Sequence, residues 1–204
     1  MFFIKPQQIP FLLIFSRLVF AGVIPILVWL SPPYFEVWIS VLIVTGLLTD
    51  VFDGIIARRL GVSNEKLRVW DSNVDQIFWI SIIATVSWVR FLGIQKLWVP
   101  ILIIALLEGL CYLVSLKRFK KPIATHSILA KFWTLTLMTF LLEILLFDSN
   151  YTFWACFTLG FVSRLEILGI IIFLKDWATD VPSIFAVRKL NRGIEPKKNK
   201  WFNG

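Results

Sequence analysis

Long apolar runs recur along this chain, and each contains about 20 residues, enough to cross the hydrocarbon core of a bilayer. The composition agrees, because 58% of the residues are hydrophobic and the mean hydropathy is +0.79, values that are not typical of a soluble domain. The runs lie at roughly 9–30, 37–57, 74–94, 97–116, 127–147 and 153–174. We therefore predict an all-α integral membrane protein with six transmembrane helices.

Lysine and arginine are unevenly distributed among the connections between these runs. The connections at 31–36 and 148–152 contain neither residue, whereas the connections after the second and fourth runs, and the C-terminal tail, contain several. Only Arg90 and Lys96, around the connection after the third run, break this alternation. Since cationic residues are enriched on the cytoplasmic side of a membrane, both termini are predicted to be cytoplasmic. We expect residues 1–175 to form one six-helix membrane domain and residues 176–204 a basic cytoplasmic tail.

The net charge of +8 bears on the partners of the chain. Cations beside a membrane are attracted to anionic lipid headgroups, so the bilayer is the expected partner. Nucleic acid is not expected, because no soluble basic domain exists to bind it. The two cysteines, Cys111 and Cys156, fall inside apolar runs, and their spacing predicts neither a disulfide framework nor a zinc site.

Four of the chain's 13 acidic residues lie within residues 50–75, at helical spacings. Asp50 and Asp53 are three positions apart and Asp71 and Asp75 are four apart, so each pair projects from one helix face. Two such helices side by side would place four carboxylates in one cavity, where they require a compensating cation. Oxygen ligands favour Mg²⁺, Mn²⁺ or Ca²⁺, and Mg²⁺ typically works beside substrate phosphates. The stretch predicts a metal-lined polar cavity at the cytoplasmic side, suited to a phosphorylated substrate.

The same stretch resembles the signature of the CDP-alcohol phosphotransferases, D-x2-D-G-x2-A-R-x8-G-x3-D-x3-D. Seven of the eight defined positions match, with every interval preserved: Asp50, Asp53, Gly54, Ala57, Arg58, Asp71 and Asp75. The remaining position, a glycine in the family, is Leu67 in this chain.

The resemblance implies an enzyme that transfers a phosphatidyl group from CDP-diacylglycerol to a small alcohol and releases CMP, with two Mg²⁺ or Mn²⁺ ions. By the same resemblance, Asp50, Asp53 and Asp71 are metal ligands, and Asp75 is the base that takes the alcohol proton and also contacts metal. It further implies a homodimer and, as in bacterial members, a multi-pass protein of the inner membrane with its active site facing the cytoplasm.

Small and cationic residues of the motif suit the donor nucleotide. Gly54 and Ala57 would let the nucleotide lie close to the helix backbone, and Arg58 would contact a phosphate through its fork of donors.

Charged residues inside the apolar runs are costly in hydrocarbon and usually face the interior of a bundle. Arg17, followed by Pro25, and Lys131, within the stretch from Ala130 to Thr134, resemble elements of bacterial phosphatidylglycerophosphate synthases. Together with Arg164, these two residues are predicted to bind the acceptor, because an anionic acceptor requires cations in the cavity. The resemblance makes glycerol 3-phosphate the expected acceptor, and serine, inositol phosphate or another alcohol remains open. The alternative interpretation is that these charges pair with other buried charges and stabilise the bundle.

Other classes of protein remain open or are excluded by the residues present. Leu67 leaves open a divergent family member with another donor or without catalysis, and a small membrane transporter or scaffold is the non-enzymatic alternative. Intramembrane prenyltransferases require a second aspartate cluster and a longer chain. A phospholipase-D-like synthase requires paired histidines, and His126 is the chain's single histidine.

Overall fold

The computed structural model describes residues 6–121, 127–179 and 181–194, and this part of the chain is helical without any strand. A short 3₁₀ turn, Pro6–Gln8, precedes the first helix. The helices are α1 (Ile9–Leu30), α2 (Phe35–Arg59), α3 (Glu65–Val89), α4 (Phe91–Gln95), α5 (Trp98–Phe119), α6 (Ile128–Phe147), α7 (Phe153–Phe173) and α8 (Ile184–Leu190). The all-α prediction is confirmed for the described residues.

Five of the described helical segments are long and apolar enough to cross a membrane, so the chain is a multi-pass membrane protein. They are Pro6–Leu30, Phe35–Arg59, Trp98–Phe119, Ile128–Phe147 and Phe153–Phe173. The third predicted span corresponds to α3, which has 25 residues but carries Glu65, Lys66, Arg68, Asp71 and Asp75 in its first half. Six spans therefore remain a prediction.

Helix α3 begins well before the apolar run that predicted it. The expected span was 74–94, whereas the helix runs from Glu65 to Val89, and the short α4 follows it. Asn64 sets this start, because its side-chain oxygen accepts a hydrogen bond of 2.8 Å from the backbone N–H of Leu67. Gly61 ends the preceding helix with a φ of 68°, which glycine adopts without strain. The prediction from apolarity missed the polar first turns of α3.

The chain divides into two compact units, and the first contains residues up to Gly93 together with Leu141–Ser149. Here α1 packs against both α2 and α3. Gly46 of α2 leaves room for the ring of Phe78 on α3, since a Cβ atom at this glycine would lie only 2.2 Å from Cζ of the phenylalanine. At the end of α3, the guanidinium of Arg90 donates two hydrogen bonds to the carbonyl of Leu145, of 2.6 and 3.1 Å.

The second unit contains Ile94–Phe140 and the chain from Asn150 onward. Helix α5 packs against α7, which in turn contacts α8. Gly160 on α7 leaves room for the indole of Trp133 on α6, because a Cβ atom at this glycine would lie 2.4 Å from Nε1 of the tryptophan. The part of the predicted tail that is described, residues 176–179 and 181–194, includes α8, and residues 195–204 lie outside the described residues.

Candidate active site

Four aspartates from α2 and α3 come together inside the first unit. Asp50 and Asp53 lie in the last turns of α2, and Asp71 and Asp75 lie in the first half of α3. Carboxylate oxygens of Asp50, Asp53 and Asp71 all lie within 4.8 Å of one another. The arrangement expected from the helical spacings, two acidic faces on neighbouring helices, is present in the structure.

The aspartates differ in their access to solvent. The side chains of Asp53 and Asp71 are only 3% and 9% exposed, whereas those of Asp75 and Asp50 are 20% and 36% exposed. The buried pair, Asp53 and Asp71, lines the small pocket beside the cluster. Asp50 and Asp75 have more accessible side chains, so they are the two carboxylates least enclosed by the protein.

Arg17 of α1 lies fully buried at the centre of these carboxylates. Its guanidinium forms ion pairs of 3.0 Å with Asp50 and 2.7 Å with Asp71, and it also contacts Asp53 and Asp75. The positive charge of Arg17 thus stabilises four carboxylates in a buried environment, where an uncompensated charge is costly. Sequence reasoning proposed this arginine as an acceptor ligand and did not anticipate its contact with all four aspartates.

The donor set fits a divalent metal ion. Three carboxylate oxygens within 4.8 Å of one another are hard anionic ligands, the type that Mg²⁺ and Mn²⁺ prefer. The guanidinium of Arg17 alone does not balance four carboxylates, and further positive charge, from Arg68 in the neighbouring pocket wall or from a metal ion, would relieve their mutual repulsion.

A small pocket opens beside the aspartates. Its walls are formed by Pro10, Ile14, Asp53, Gly54, Ala57, Leu67, Arg68 and Asp71. Gly54, which has no side chain, and Ala57, which has only a methyl group, therefore line a concave surface next to the acidic cluster. The guanidinium of Arg58 folds back over Gly54, since a Cβ atom at this glycine would lie 3.3 Å from a terminal nitrogen of the arginine.

Leu67 and Arg68 also lie in this pocket wall. Leu67 stands at the position where the family signature has glycine, and it lines the same pocket as Gly54 and Ala57. Arg68 was not singled out from the sequence as a site residue. It lies three positions before Asp71, so helical spacing would have placed the two on one face had the start of α3 been known.

The two other predicted acceptor residues belong to the second unit. Lys131 lies exposed in the first turn of α6. Arg164 on α7 is 6% exposed, contacts the carboxylate of Glu108, and lies over the ring of Trp133 with its Cζ atom 4.5 Å from the ring centroid. Its contacts agree with the alternative in which buried charges pair with one another. Acceptor binding by either residue remains a prediction.

Comparison with known proteins assigns the chain to a family. The model of the family described as CDP-alcohol phosphatidyltransferase matches residues 7–182, which is most of the chain and includes the four aspartates, Arg17 and the pocket. Neither a curated protein nor a solved structure matches the chain. This is a family of phosphotransferases that generally depend on divalent metal, and the aspartate cluster agrees with that requirement. The chain belongs to the CDP-alcohol phosphatidyltransferase family.

Proposed function

We propose that this enzyme transfers the phosphatidyl group of CDP-diacylglycerol to glycerol 3-phosphate and releases CMP, with the aid of a divalent metal ion. Family membership establishes phosphatidyl transfer from a CDP-alcohol. The finer proposal is supported by the convergence of Asp50, Asp53 and Asp71, whose carboxylate oxygens lie within 4.8 Å of one another. The pocket beside them includes the small residues Gly54 and Ala57 in its lining.

In the proposed reaction, the acceptor hydroxyl attacks the phosphorus that carries the diacylglycerol group. A new P–O bond forms to the acceptor, the P–O bond to the CMP phosphate breaks, and the hydroxyl proton passes to a base. We assign the base to Asp75, whose side chain is more exposed than those of Asp53 and Asp71 and so can be reached by an acceptor. A carboxylate in this position acts by general base catalysis.

We assign metal binding to Asp50, Asp53, Asp71 and Asp75. A bound Mg²⁺ or Mn²⁺ ion, or a pair of them, would neutralise the negative charge of the diphosphate and of the departing CMP. The chain itself contributes the carboxylates, which are held rigidly because each pair lies on one helix. Arg17 keeps those carboxylates together through its four contacts.

The donor nucleotide is proposed to lie against Gly54 and Ala57. Both residues line the pocket beside the aspartates, where a larger side chain would reduce the available space. Arg58 and Arg68 are close enough to this surface to contact donor phosphates through charge-assisted hydrogen bonds. Arg68 extends the set of phosphate ligands that the sequence motif implies.

Glycerol 3-phosphate is proposed as the acceptor from the resemblance of the segments around Arg17 and Lys131 to bacterial phosphatidylglycerophosphate synthases. The acceptor carries two negative charges near neutral pH, so cationic ligands such as Lys131 and Arg164 would favour it over serine or a neutral alcohol.

We further propose six spans with cytoplasmic termini, a homodimer, and an active site facing the cytoplasm of a bacterial inner membrane.

The deciding experiment is CMP release by the purified, detergent-solubilised protein with CDP-diacylglycerol, Mg²⁺ or Mn²⁺, and one alcohol at a time. We expect release that requires both the metal and glycerol 3-phosphate. Asp75→Asn should abolish it, whereas Asp176→Asn, an exposed aspartate on the second unit, should leave it unchanged. Full activity of Asp75→Asn would disprove the assignment of the base. Metal-dependent release with serine alone would disprove the acceptor.

One observation favours a second possibility, a family member that uses a different donor. Leu67 lines the pocket at the position of the family glycine, where a leucine side chain takes up space that glycine would leave open. If folded protein releases no CMP with any alcohol, Leu67→Gly distinguishes the explanations. Recovered activity would show that leucine blocks the cytidine nucleotide, and continued inactivity would favour another donor or a non-catalytic membrane protein.

A further inference from the structure

Helix α8 has two chemically different sides. Ala186 and Val187 are buried in an apolar cluster with residues at the end of α7. Phe185, Arg188 and Arg192 are exposed, and the phenylalanine is 85% exposed. Because these three residues are spaced by three and four positions, they lie along one side of the helix and its C-terminal turn. The exposed side therefore combines an aromatic ring with two cations.

The connection between α7 and α8 is held by specific hydrogen bonds. The side-chain amide of Asn191 donates to the carbonyl of Phe173 (2.8 Å), and its oxygen accepts from the backbone N–H of Lys175 (2.9 Å). Arg118 of α5 donates a further hydrogen bond of 2.8 Å to the carbonyl of Leu174. These contacts fix the backbone that carries Lys175 next to α8.

The result is an open pocket of about 560 Å³ between the end of α7 and α8. Lys175, Arg188 and Arg192 supply three cations to its lining, and Phe173 and Phe185 supply exposed aromatic rings. Within residues 6–121, 127–179 and 181–194, none of these three cations forms an ion pair with a carboxylate. The pocket thus has unused positive charge beside apolar surface.

The position of the pocket along the chain indicates its ligand. Phe173 is the last residue of a segment long and apolar enough to cross a membrane, and the three cations follow within 19 residues of it. Basic residues directly beside a transmembrane segment attract anionic lipids, and aromatic residues are favoured at the membrane interface. A soluble anion would use the cations alone, whereas a lipid would use both the cations and the two phenylalanines.

We propose that this pocket binds an anionic phospholipid of the surrounding bilayer. The headgroup phosphate would contact Lys175, Arg188 and Arg192, and the upper part of the acyl chains would lie along Phe173 and Phe185. The site uses none of the residues of the aspartate cluster, and it is a binding site for a lipid that the protein retains and does not convert.

The test measures retention of lipid by the full-length protein in neutral detergent micelles, using native mass spectrometry. Phosphatidylglycerol and phosphatidylcholine are titrated separately, and the triple variant Lys175→Gln, Arg188→Gln, Arg192→Gln is compared with the unmodified protein. We expect the unmodified protein to prefer phosphatidylglycerol. In the triple variant this affinity should fall roughly 100-fold, since each cation beside a lipid surface contributes a factor of about five.

A matched control removes three exposed cations elsewhere, as Lys66→Gln, Lys96→Gln, Lys117→Gln. This variant has the same net charge as the first and should retain phosphatidylglycerol like the unmodified protein. Equal loss of affinity in both triple variants would overturn the site, because it would indicate only a general charge effect. Equal retention of the two lipids by the unmodified protein would also overturn it.

Phe185→Ser provides a second test that does not depend on the triple variant folding. The side chain is 85% exposed, so the fold should tolerate the change. We expect a several-fold loss of phosphatidylglycerol and no change in binding of inorganic phosphate. An unchanged affinity for phosphatidylglycerol would contradict the proposed contact between Phe185 and the acyl chains. The unmodified protein could instead bind soluble polyglutamate and show no preference between the two lipids. If the triple variant then lost polyglutamate binding, the partner would be an acidic protein and the lipid proposal would be wrong.

Discussion

The guanidinium of Arg17 lies 2.7 Å from the carboxylate of Asp71, and this contact joins α1 to α3 at the centre of the acidic cluster. Arg17 is fully buried and Asp71 is nearly so, so both charges are shielded from bulk solvent. The ion pair therefore connects the helix that contains none of the signature aspartates to the pair of helices that contains all four.

Replacing Arg17 should destabilise the protein most when metal is absent. Arg17→Ala leaves four carboxylates without their central cation, and loss of one partner from a buried ion pair costs about 3–5 kcal/mol. We expect a lower thermal unfolding temperature in detergent, with part of the loss restored by Mn²⁺. Arg59→Ala, at an exposed position at the end of α2, serves as the control. An equal loss with and without Mn²⁺ would contradict the proposal that the metal binds the same carboxylates that Arg17 contacts.

Metal binding itself should depend on the buried aspartates. Asp53→Asn keeps the size of the side chain but removes one anionic ligand, and we expect at least a tenfold loss of Mn²⁺ affinity, about 1.4 kcal/mol. Electron paramagnetic resonance of bound Mn²⁺ measures this without any turnover. Asp148→Asn, outside the cluster, should bind Mn²⁺ normally. Unchanged affinity in Asp53→Asn would exclude this residue as a ligand.

Two glycines in the first unit should respond differently to replacement by alanine, because only Gly46 lies against another side chain, that of Phe78. Gly46→Ala places a Cβ atom 2.2 Å from the ring of the buried Phe78, so this ring must shift within a packed interior, and we expect a loss of about 1–3 kcal/mol. Gly22→Ala meets nothing within 4 Å and should be neutral or stabilising, because alanine is the better helix former. Thermal unfolding of both variants checks this. Recovery of stability in Gly46→Ala combined with Phe78→Leu would confirm the clash as the cause.

Variants of Glu108 and Arg164 can distinguish a structural role of Arg164 from a role in acceptor binding. Glu108→Ala should destabilise the protein by about 3 kcal/mol, because it leaves the buried guanidinium without its carboxylate. The double variant Glu108→Leu, Arg164→Met should recover much of that stability, since it removes both charges. If Arg164 binds the acceptor, the double variant will still show a raised KM for glycerol 3-phosphate. A normal KM would confine Arg164 to a structural role.

Helical spacing predicted the aspartate pairs because all members of each pair lie on one helix, where sequence separation determines the face. It could not predict Arg17, which reaches Asp71 from 54 positions away, because a contact between helices depends on how they pack. Arg68 was missed for another reason. The start of α3 is set by Asn64, and this cap lies outside the apolar run from which the helix was predicted.

The packing of small residues was also beyond the sequence. Gly160 and Trp133 meet across two helices of the second unit, and nothing in either local segment marks the contact. The apolar runs gave the correct type of structure because a helix of about 20 apolar residues is defined by its own composition. They did not give the bounds of α3, whose polar first half belongs to the active site.

The five residues from Leu60 to Asn64 are all that separates the two aspartate-bearing helices. Closing so short a connection costs little chain entropy, so the two halves of the acidic cluster meet through contacts that are local in sequence. The remaining participant, Arg17, lies on the helix directly before them. The first three helices therefore contain every residue of the acidic cluster. During synthesis the chain can bring the acidic cluster together before the second unit has emerged from the ribosome, whereas the proposed acceptor residues Lys131 and Arg164 are made later.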